Sequence, residues 1–452
     1  MKTVFQNQKN FFNSNKTKSI DFRKQQLKKL KKLLKENEDV LFEAIYRDFK
    51  KAKFETYTTE LSLLYSEIET ALSQLNSWSK KKRVRTNFAN FPAKSYIIPE
   101  PLGVVLVIGA WNYPYQLAIA PAIAALTAGN TVILKPSEIA FHSSAIMAKI
   151  INESFDAAVF YVQEGGVPET TTLLELPFDK IFFTGSTAVG KIVYQAAAKN
   201  LTPVTLELGG KSPTFVCKDA DLEMSAKRMV WAKFLNAGQT CIAPDYVLVE
   251  ETIKTSFLKA IVRELKKTNY CIVNENYVQI INDRNFERLK KLIDPNKIYY
   301  GGKTDKTERL IYPTILDNCT FDDLVMQEEI FGPILPIISF TSLDEALAKV
   351  KEREKPLSCY VFTSSYAIQH KIENELSFGG GAINDAIMHI SNDKMPFGGV
   401  GASGMGNYHG KFGFDTFSHF KSILNKPTWL EFNFKYSPYT EWKQKIIKML
   451  LG

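Results

Sequence analysis

Residues 103–134 read GVVLVIGAWNYPYQLAIAPAIAALTAGNTVIL, and this stretch decides the class of fold. Val104–Ile108 is a short apolar run, typical of a strand that is buried on both faces. Pro121–Ala128 has the composition of a helix, and Thr131–Leu134 returns to that of a strand. A strand, a helix and a second strand in this order predict a β/α unit.

The same alternation continues towards the C-terminus. The next predicted elements are a helix at Ser143–Ser154, a strand at Lys180–Phe183 and a helix at Val189–Lys199. A second series begins near residue 213. Its predicted strands are Thr214–Val216, Tyr246–Val249, Leu335–Phe340 and Cys359–Thr363, and its predicted helices are Leu222–Ala237, Thr252–Lys267 and Leu343–Glu352. This alternation predicts parallel sheets that bind ligands at the carboxyl ends of their strands.

The segments that flank the two β/α series have a different character. Residues 16–80 are predicted to be helical, because their leucines recur at helical spacing. The basic run KKKRVR (80–85) is interpreted as a solvated loop, and Lys94–Ile98 alternates like a strand. A Gly-rich run covers Pro396–Gly413. The basic amphipathic tail Glu441–Leu451 leaves three interpretations open: docking on the parent fold, contact with a partner subunit, or contact with a membrane surface.

Length and composition exclude several classes of protein. A chain of 452 residues is too long for one core, so two or three domains are expected. We find no apolar stretch of about 20 residues that is free of charge, and no secretory signal at the N-terminus. The net charge of +9 is explained by Lys-rich surface helices, and no nucleic-acid motif accompanies it.

The five cysteines are odd in number, widely spaced and without a CxxC pair, which disfavours a disulfide framework or a metal site. Reduced thiols indicate a cytoplasmic protein. One of these cysteines, Cys241, lies in NAGQTCIAP (236–244), between a Gly-containing turn and a predicted strand. A thiolate there would be a nucleophile, although a lone cysteine is more often a small buried hydrophobe.

Three further segments carry candidate functional groups. In LELGGKSP (206–213), apolar neighbours would raise the pKa of Glu207 towards that of a general base; alternatively, Glu207 accepts backbone hydrogen bonds in a turn. In FFTGSTAVGK (182–191), Gly185 and Ser186 precede a predicted helix, as at a dinucleotide site, but the segment is neither GxGxxG nor a Walker sequence. In AWNYPYQL (110–117), the amide of Asn112 is a candidate oxyanion donor or an ordinary turn residue.

These four segments, in this order, resemble the aldehyde dehydrogenase superfamily. The separation of 34 residues between Glu207 and Cys241 (241 − 207) matches the family. So do LKPSE (134–138), QEEIFGP (327–333) and PFGGVGASGMG (396–406). The resemblance extends from about residue 20 to residue 425. Within it, GQTCIAPDYV and MQEEIFGPILPI are similar to the class 3 branch, which includes dimeric and fatty-aldehyde enzymes.

The resemblance implies an α/β fold with a Rossmann-like cofactor domain, an α/β catalytic domain and a small β oligomerisation extension. It assigns residues 1–81 and 104–208 to NAD(P) binding, residues 209–392 to the catalytic thiol domain, and residues 82–103 and 393–452 to bridging and oligomerisation. It further implies a homodimer, formed through strand Lys94–Ile98 and the tail after residue 415.

For the chemistry, the resemblance implies that an aldehyde is oxidised to its acid through a thiohemiacetal and a thioester on Cys241. The Asn112 amide and the backbone N–H of Cys241 would form the oxyanion hole, and Glu207 would activate water to hydrolyse the thioester. The cofactor would be NAD(P)⁺. NAD⁺ is favoured, because the Glu138 carboxylate repels a 2′-phosphate, although Lys135 tempers that repulsion.

The remaining site residues also follow from the resemblance. The cofactor would be held by Gly185 and Ser186 at the pyrophosphate, by Lys135 and Glu138 at the adenosine ribose, and by Glu329 and Phe331 at the nicotinamide end. An aldehyde funnel would be lined by Tyr113, Tyr115 and Trp231.

Aromatic walls favour apolar aliphatic or aromatic aldehydes; alternatively, these side chains pack in the core. Three other functions stay open: an acylating dehydrogenase or reductase, a catalytically idle scaffold, and a Cys-dependent hydrolase.

Overall fold

The computed structural model describes residues 1–451. Five helices open the chain, and a π-helical turn at Tyr57–Leu61 joins the last two. The helices are α1 (Lys2–Asn13), α2 (Ile20–Glu36), α3 (Glu38–Phe49), α4 (Lys53–Thr56) and α5 (Ser62–Trp78). The strands β1 (Lys82–Val84) and β2 (Lys94–Pro101) follow. The predicted helical region is confirmed, whereas α1 lies before it and was not predicted.

A parallel sheet with the strand order of a dinucleotide-binding fold comes next. Its elements are β3 (Val104–Ile108), α6 (Gln116–Ala128), β4 (Thr131–Lys135), α7 (Phe141–Ser154), β5 (Phe160–Val162), α8 (Val167–Leu174), β6 (Lys180–Thr184), α9 (Thr187–Ala198) and β7 (Val204–Glu207). The parallel order is β5-β4-β3-β6-β7. In such sheets the ligand crevice lies where the order reverses, here between β3 and β6.

Helix α6 begins at Gln116, five residues before the predicted start at Pro121. Its first turn is stabilised by a distant carboxylate, because Glu60 Oε2 accepts hydrogen bonds from the backbone N–H groups of Tyr115 at 2.8 Å and Gln116 at 3.3 Å. These donors have no partner within the helix. A local pattern could not reveal a cap that comes from another helix.

The second β/α series forms a seven-stranded sheet. Its elements are β8 (Pro213–Val216), α10 (Leu222–Phe234), β9 (Tyr246–Glu250), α11 (Lys254–Thr268), α12 (Asp283–Lys291), β10 (Ile298–Tyr300), β11 (Thr304–Asp305), β12 (Leu310–Ile311), β13 (Thr314–Leu316), β14 (Ile334–Phe340), α13 (Leu343–Lys351), β15 (Ser358–Phe362), α14 (Tyr366–Glu375) and β16 (Gly380–Ile383). The order is β10-β13-β14-β9-β8-β15-β16, and only β10 pairs antiparallel. β11 and β12 form a separate hairpin.

Four elements complete the chain: β17 (Gly404–Met405), α15 (Gly410–Thr416), β18 (Ser418–Asn425) and α16 (Glu441–Leu451). β17 pairs antiparallel with β7, so part of the Gly-rich run extends the first sheet, which is parallel from β5 to β7. β18 pairs with β2 along eight residues, and β1 lies on the other side of β2. The predicted α/β fold with two parallel sheets is confirmed.

Among residues 1–451, no helix has the length and apolar character that crossing a bilayer requires.

Candidate active site

Side-chain amides join the loop after β3 to the segment before Cys241. The Asn112 side chain donates to the carbonyl of Gln239 at 3.0 Å, and the Asn236 side chain donates to the carbonyl of Asn112 at 2.9 Å. Asn112, Asn236 and Gln239 are all buried. The structure therefore places Asn112, the predicted oxyanion donor, beside the segment that leads to Cys241, the predicted nucleophile.

The segment between α10 and Cys241 has an unusual backbone. Asn236, Ala237 and Gly238 have φ values of 53°, 50° and 71°. Left-handed conformations cost about 1–2 kcal/mol for each residue that carries a Cβ. This run explains why α10 ends at Phe234 and does not reach the predicted Ala237. The surrounding contacts must hold the segment in this shape.

The Cys241 thiol lies in surroundings that disfavour its ionised form. Burial raises its pKa to about 12, and the carboxyl groups of Glu329 and Glu207 add to the rise. The backbone N–H groups of Cys241 and Ile242 act in the opposite direction. In the protein alone, the sulfur is therefore a thiol at neutral pH, whereas the sequence suggested a thiolate.

Glu207 is the last residue of β7, and only 3% of its surface is exposed. Neither carboxyl oxygen has a hydrogen-bond partner, and burial raises the pKa of this group well above its ordinary value. The alternative in which Glu207 accepts backbone hydrogen bonds in a turn is therefore wrong. A buried carboxyl group without partners is free to bind water or a ligand atom.

The strand ends of the first sheet fit the phosphates of a dinucleotide. Ser186 is the N-cap of α9, and its hydroxyl accepts from the backbone N–H of Val189 at 3.4 Å. The N–H of Gly185 donates to the carbonyl of Glu207 at 3.0 Å, so this turn lies against β7. A helix N-terminus that follows a glycine at this edge is a suitable place for pyrophosphate.

Lys135 and Glu138 follow β4 at the same edge. The lysine is buried, and its Nζ lies 3.1 Å from a carboxylate oxygen of Glu138, which is half-exposed. Nζ also donates to the carbonyl of Pro136 at 2.7 Å. The pair offers one cation and one carboxylate, which suits the hydroxyl groups of a ribose.

The loop that carries Glu329 and Phe331 comes near the predicted nucleophile, since the Glu329 carboxyl group raises the pKa of Cys241. Burial raises the pKa of Glu329 to about 8, and the nearby Asp245 contributes. A Cβ at position 209 would collide with the Glu329 carboxyl group, so the glycine at this position leaves room for that carboxyl group. Phe331 has a left-handed φ of 52°, and its ring meets Trp111 edge-on at 5.4 Å. Glu329 therefore lies beside the glycine pair that follows β7, and Phe331 lies beside the loop that follows β3.

The three predicted funnel aromatics occupy different environments. Trp231 is 43% exposed on α10. Tyr113 is buried, and its hydroxyl lies 2.6 Å from Thr240 Oγ1, beside Cys241. Tyr115 is fully buried, and its hydroxyl donates to the carbonyl of Leu41 at 2.7 Å. Tyr115 is therefore a core residue, as the alternative interpretation had it.

A small cavity lies beside the start of α6. It is lined by Leu63, Ser66, Glu67, Gln116, Ala120, Ile390, Ser391, Asp393 and His409. None of these residues is lysine or arginine. Burial lowers the pKa of His409 to about 4, so the imidazole is neutral at physiological pH. The walls are thus apolar, neutral or acidic.

Sequence reasoning missed several residues that shape the site. Asn236 and Gln239 lie in the segment NAGQTCIAP (236–244), and their side-chain amides could have indicated hydrogen bonds close to Cys241. Lys51, Glu55 and Glu60 contact the site from the segment between α3 and α5, about 180 residues before Cys241. Buried charges so far away in the chain leave no mark in a local pattern.

Comparison with known proteins agrees with this geometry. The sequence model of the Aldehyde dehydrogenase family matches residues 1–423. The 4,4'-diaponeurosporen-aldehyde dehydrogenase of Staphylococcus aureus (strain NCTC 8325 / PS 47) is 50% identical over 448 residues, 98% of this chain and 97% of that protein. The dimeric NADP-preferring aldehyde dehydrogenase of Rattus norvegicus is 48% identical over 417 residues, 92% of each chain.

A solved structure, the substrate-bound state of Staphylococcus aureus AldH, superposes with a TM-score of 0.97 at 49% identity. The match covers 100% of this chain and 99% of that one. The predicted family and its class 3-like branch are confirmed. The chain therefore belongs to the aldehyde dehydrogenase family, and it is an NAD(P)-dependent oxidoreductase that oxidises aldehydes.

Proposed function

We propose that Cys241 is the nucleophile of this oxidation, that Asn112 and the backbone N–H of Cys241 form the oxyanion hole, and that Glu207 is the hydrolytic base. The observation that carries the proposal is the unpartnered, buried carboxyl group of Glu207. Its charge influences the pKa of Cys241, so the two groups lie within electrostatic reach of each other. A nucleophile and a base in one water-poor place are what thioester chemistry requires.

The residues would act in sequence. Cys241 releases its thiol proton to solvent and attacks the carbonyl carbon as the thiolate, and the Asn112 amide and the backbone N–H of Cys241 stabilise the oxygen that becomes negative. Gly185, Ser186, Lys135 and Glu138 would hold one end of NAD(P)⁺, Glu329 and Phe331 would hold the other, and the bound cofactor would supply the acceptor for the hydride that leaves the aldehyde carbon. A thioester on Cys241 remains.

Glu207 then removes a proton from water, which attacks the thioester and releases the acid. Because burial raises the pKa of Glu207, the basic carboxylate forms at higher pH than for an ordinary glutamate. A water-activating base favours the hydrolytic function over an acylating one that passes the thioester to another acceptor.

The first prediction concerns the nucleophile. Cys241→Ala removes the sulfur, so NADH formation should fall by at least about a thousandfold while NAD⁺ binding, measured by calorimetry, is unchanged. Cys271→Ala, at another free and half-buried cysteine, is the matched control and should keep the wild-type rate. A Cys241→Ala rate above a few per cent of wild type would refute the role.

The second prediction concerns the base. Glu207→Gln keeps the shape of the side chain but cannot take a proton, so deacylation should slow by about 10²–10⁴-fold. Rapid mixing should show one NADH per subunit formed quickly, followed by slow turnover, and intact-mass analysis should show the acyl group on the protein. Glu175→Gln, at an exposed site, is the control. If turnover slows without an acyl adduct, Glu207 is not the deacylation base.

The cavity beside α6 supports a substrate class. We propose that it is the passage for an uncharged aldehyde with a long apolar or aromatic body. Its walls include the carboxyl groups of Glu67 and Asp393, a neutral His409 and no lysine or arginine, so they hold no cation that would attract an anionic substrate. The relative from Staphylococcus aureus is named as a 4,4'-diaponeurosporen-aldehyde dehydrogenase.

A substrate series tests this proposal. With NAD⁺, kcat/KM should rise from propanal to dodecanal, benzaldehyde should be accepted, and succinic semialdehyde should be at least about tenfold poorer than hexanal. The same series with NADP⁺ measures the cofactor preference, for which we propose NAD⁺ on the grounds of Glu138. Preference for succinic semialdehyde would contradict the proposed passage.

The domain assignment and the assembly are also proposals. We assign residues 1–81 and 104–208 to cofactor binding, 209–392 to the thiol domain, and 82–103 and 393–452 to bridging and oligomerisation.

The exposed edge of β18, with Phe420 and Leu424 on its surface, supports a homodimer. Analytical ultracentrifugation should give twice the mass of the chain; a monomer would exclude this.

The C-terminal tail supports peripheral membrane contact. Trp429 is exposed in the segment before α16, and Trp442 and Met449 are exposed on α16, which also carries lysines; exposed aromatic and basic side chains suit an anionic bilayer surface. Binding to phosphatidylglycerol vesicles but not to phosphatidylcholine vesicles is the expected result; no binding to either refutes it. We also propose a cytoplasmic location, where Cys241 stays reduced.

A further inference from the structure

We propose that three charged residues of the segment between α3 and α5, Lys51, Glu55 and Glu60, are positioning residues that fix the nucleophile and the oxyanion donor relative to each other. The proposal rests on the proposed roles of Cys241 and Asn112 and adds what holds them in place. These three residues lie outside every motif that identifies the family in this chain.

The first component is a fully buried ion pair. Lys51 Nζ lies 2.9 Å from Glu60 Oε1, and neither side chain has any exposed surface. Moving two charges out of water costs several kcal/mol for each, so such a pair is a poor way to gain stability. Glu60 belongs to the π-helical turn Tyr57–Leu61, a rare conformation that is frequent at functional sites.

The ion pair contacts the loop that carries Asn112 at two points. The second oxygen of Glu60 accepts the N–H groups of Tyr115 and Gln116, which fixes the start of α6 directly after Asn112. Lys51 Nζ lies 4.0 Å from the centre of the Tyr113 ring, a cation–π contact. The Tyr113 hydroxyl in turn lies 2.6 Å from Thr240 Oγ1, one residue before Cys241.

The third residue acts on the nucleophile segment itself. Glu55 Oε1 accepts the backbone N–H of Asn236 at 2.9 Å. Asn236 opens the left-handed run, and its side chain donates to the carbonyls of Asn112 and Gln239. Without this acceptor, a buried N–H would lose its partner at the point where the backbone is most strained.

These contacts form two paths. One runs from Glu55 through Asn236 to the carbonyls of Asn112 and Gln239, and the other from Glu60 through Lys51 and Tyr113 to Thr240. The second path ends one residue before Cys241, and the first ends at the predicted oxyanion donor and two residues before Cys241. A shift of about 1 Å between an oxyanion donor and its nucleophile is enough to cost a large factor in rate. The segment between α3 and α5 therefore sets the geometry of a reaction whose atoms it does not touch.

The decisive experiment compares Glu55→Ala with Glu55→Gln. Alanine leaves the Asn236 N–H without an acceptor, so kcat should fall by about tenfold or more while KM for NAD⁺ changes by less than about twofold. Glutamine keeps an oxygen acceptor and should restore kcat to within about threefold of wild type. Glu43→Ala, at an exposed position of α3, is the control for a charge change in the N-terminal helices.

Hydrogen exchange gives a readout that does not depend on turnover. In Glu55→Ala, amide exchange should accelerate in peptides that cover residues 235–242 and 110–117, and should stay at the wild-type rate in α11 (Lys254–Thr268). If the wild-type protein formed no NADH, the proposed function would fail, whereas the exchange pattern would still decide whether Glu55 positions this segment.

A double-mutant cycle tests the ion pair. Lys51→Met and Glu60→Gln each leave one buried charge without its partner, whereas the double variant leaves none, so each single loss in kcat should exceed that of the double. Two results overturn the proposal: Glu55→Ala with kcat within twofold of wild type, or exchange that accelerates equally in all peptides. The first removes the functional role, and the second leaves only a general contribution to folding.

Discussion

Exclusion of water from the place where Glu207 and Glu329 lie within electrostatic reach of Cys241 is the constraint on which the rest of the structure depends. Burial is the first cause of the raised pKa at Cys241, Glu207 and Glu329 alike. Each of these groups is uncharged when it is protonated, so the protein without its cofactor does not hold three negative charges close together. A bound cofactor with a cationic nicotinamide ring would favour the anionic forms, which ties the reactivity of the thiol to the presence of the oxidant.

A second constraint comes from the backbone. Asn236, Ala237 and Gly238 turn the chain sharply after α10 and direct it to Cys241, and Gly238 passes so close to the carbonyl of Gly332 that a Cβ would not fit. Side-chain amides and carboxylates from distant segments meet the hydrogen-bonding needs of this turn. The backbone and side-chain N–H groups of Asn236 therefore have acceptors, whereas the side-chain oxygen of Asn236 and both carboxyl oxygens of Glu207 have no donor.

Much of the fold was predictable, since buried parallel strands such as Val104–Ile108 are continuous apolar runs. The errors have physical causes. The start of α6 depends on Glu60, which is far away in the sequence, and the end of α10 depends on a left-handed run that alanine rarely adopts. Tyr115 was predicted to line the funnel because a sequence motif shows which residues are adjacent in the chain but not where their side chains point. Its hydroxyl instead donates to the carbonyl of Leu41. The ionisation state of Cys241 depends on burial, which only the folded chain defines.

The pH dependence of thiol alkylation tests this account most directly. Iodoacetamide should modify Cys241 of the cofactor-free protein with a rate constant that rises about tenfold per pH unit from about pH 7 to pH 10, because the thiolate fraction grows steadily below a pKa of about 12. Peptide mapping would assign the modified residue, and Cys241→Ala would give the background. A rate that levels off below about pH 8 would show a thiolate already formed in the free protein, and would contradict the claim that the water-poor cleft keeps this sulfur protonated.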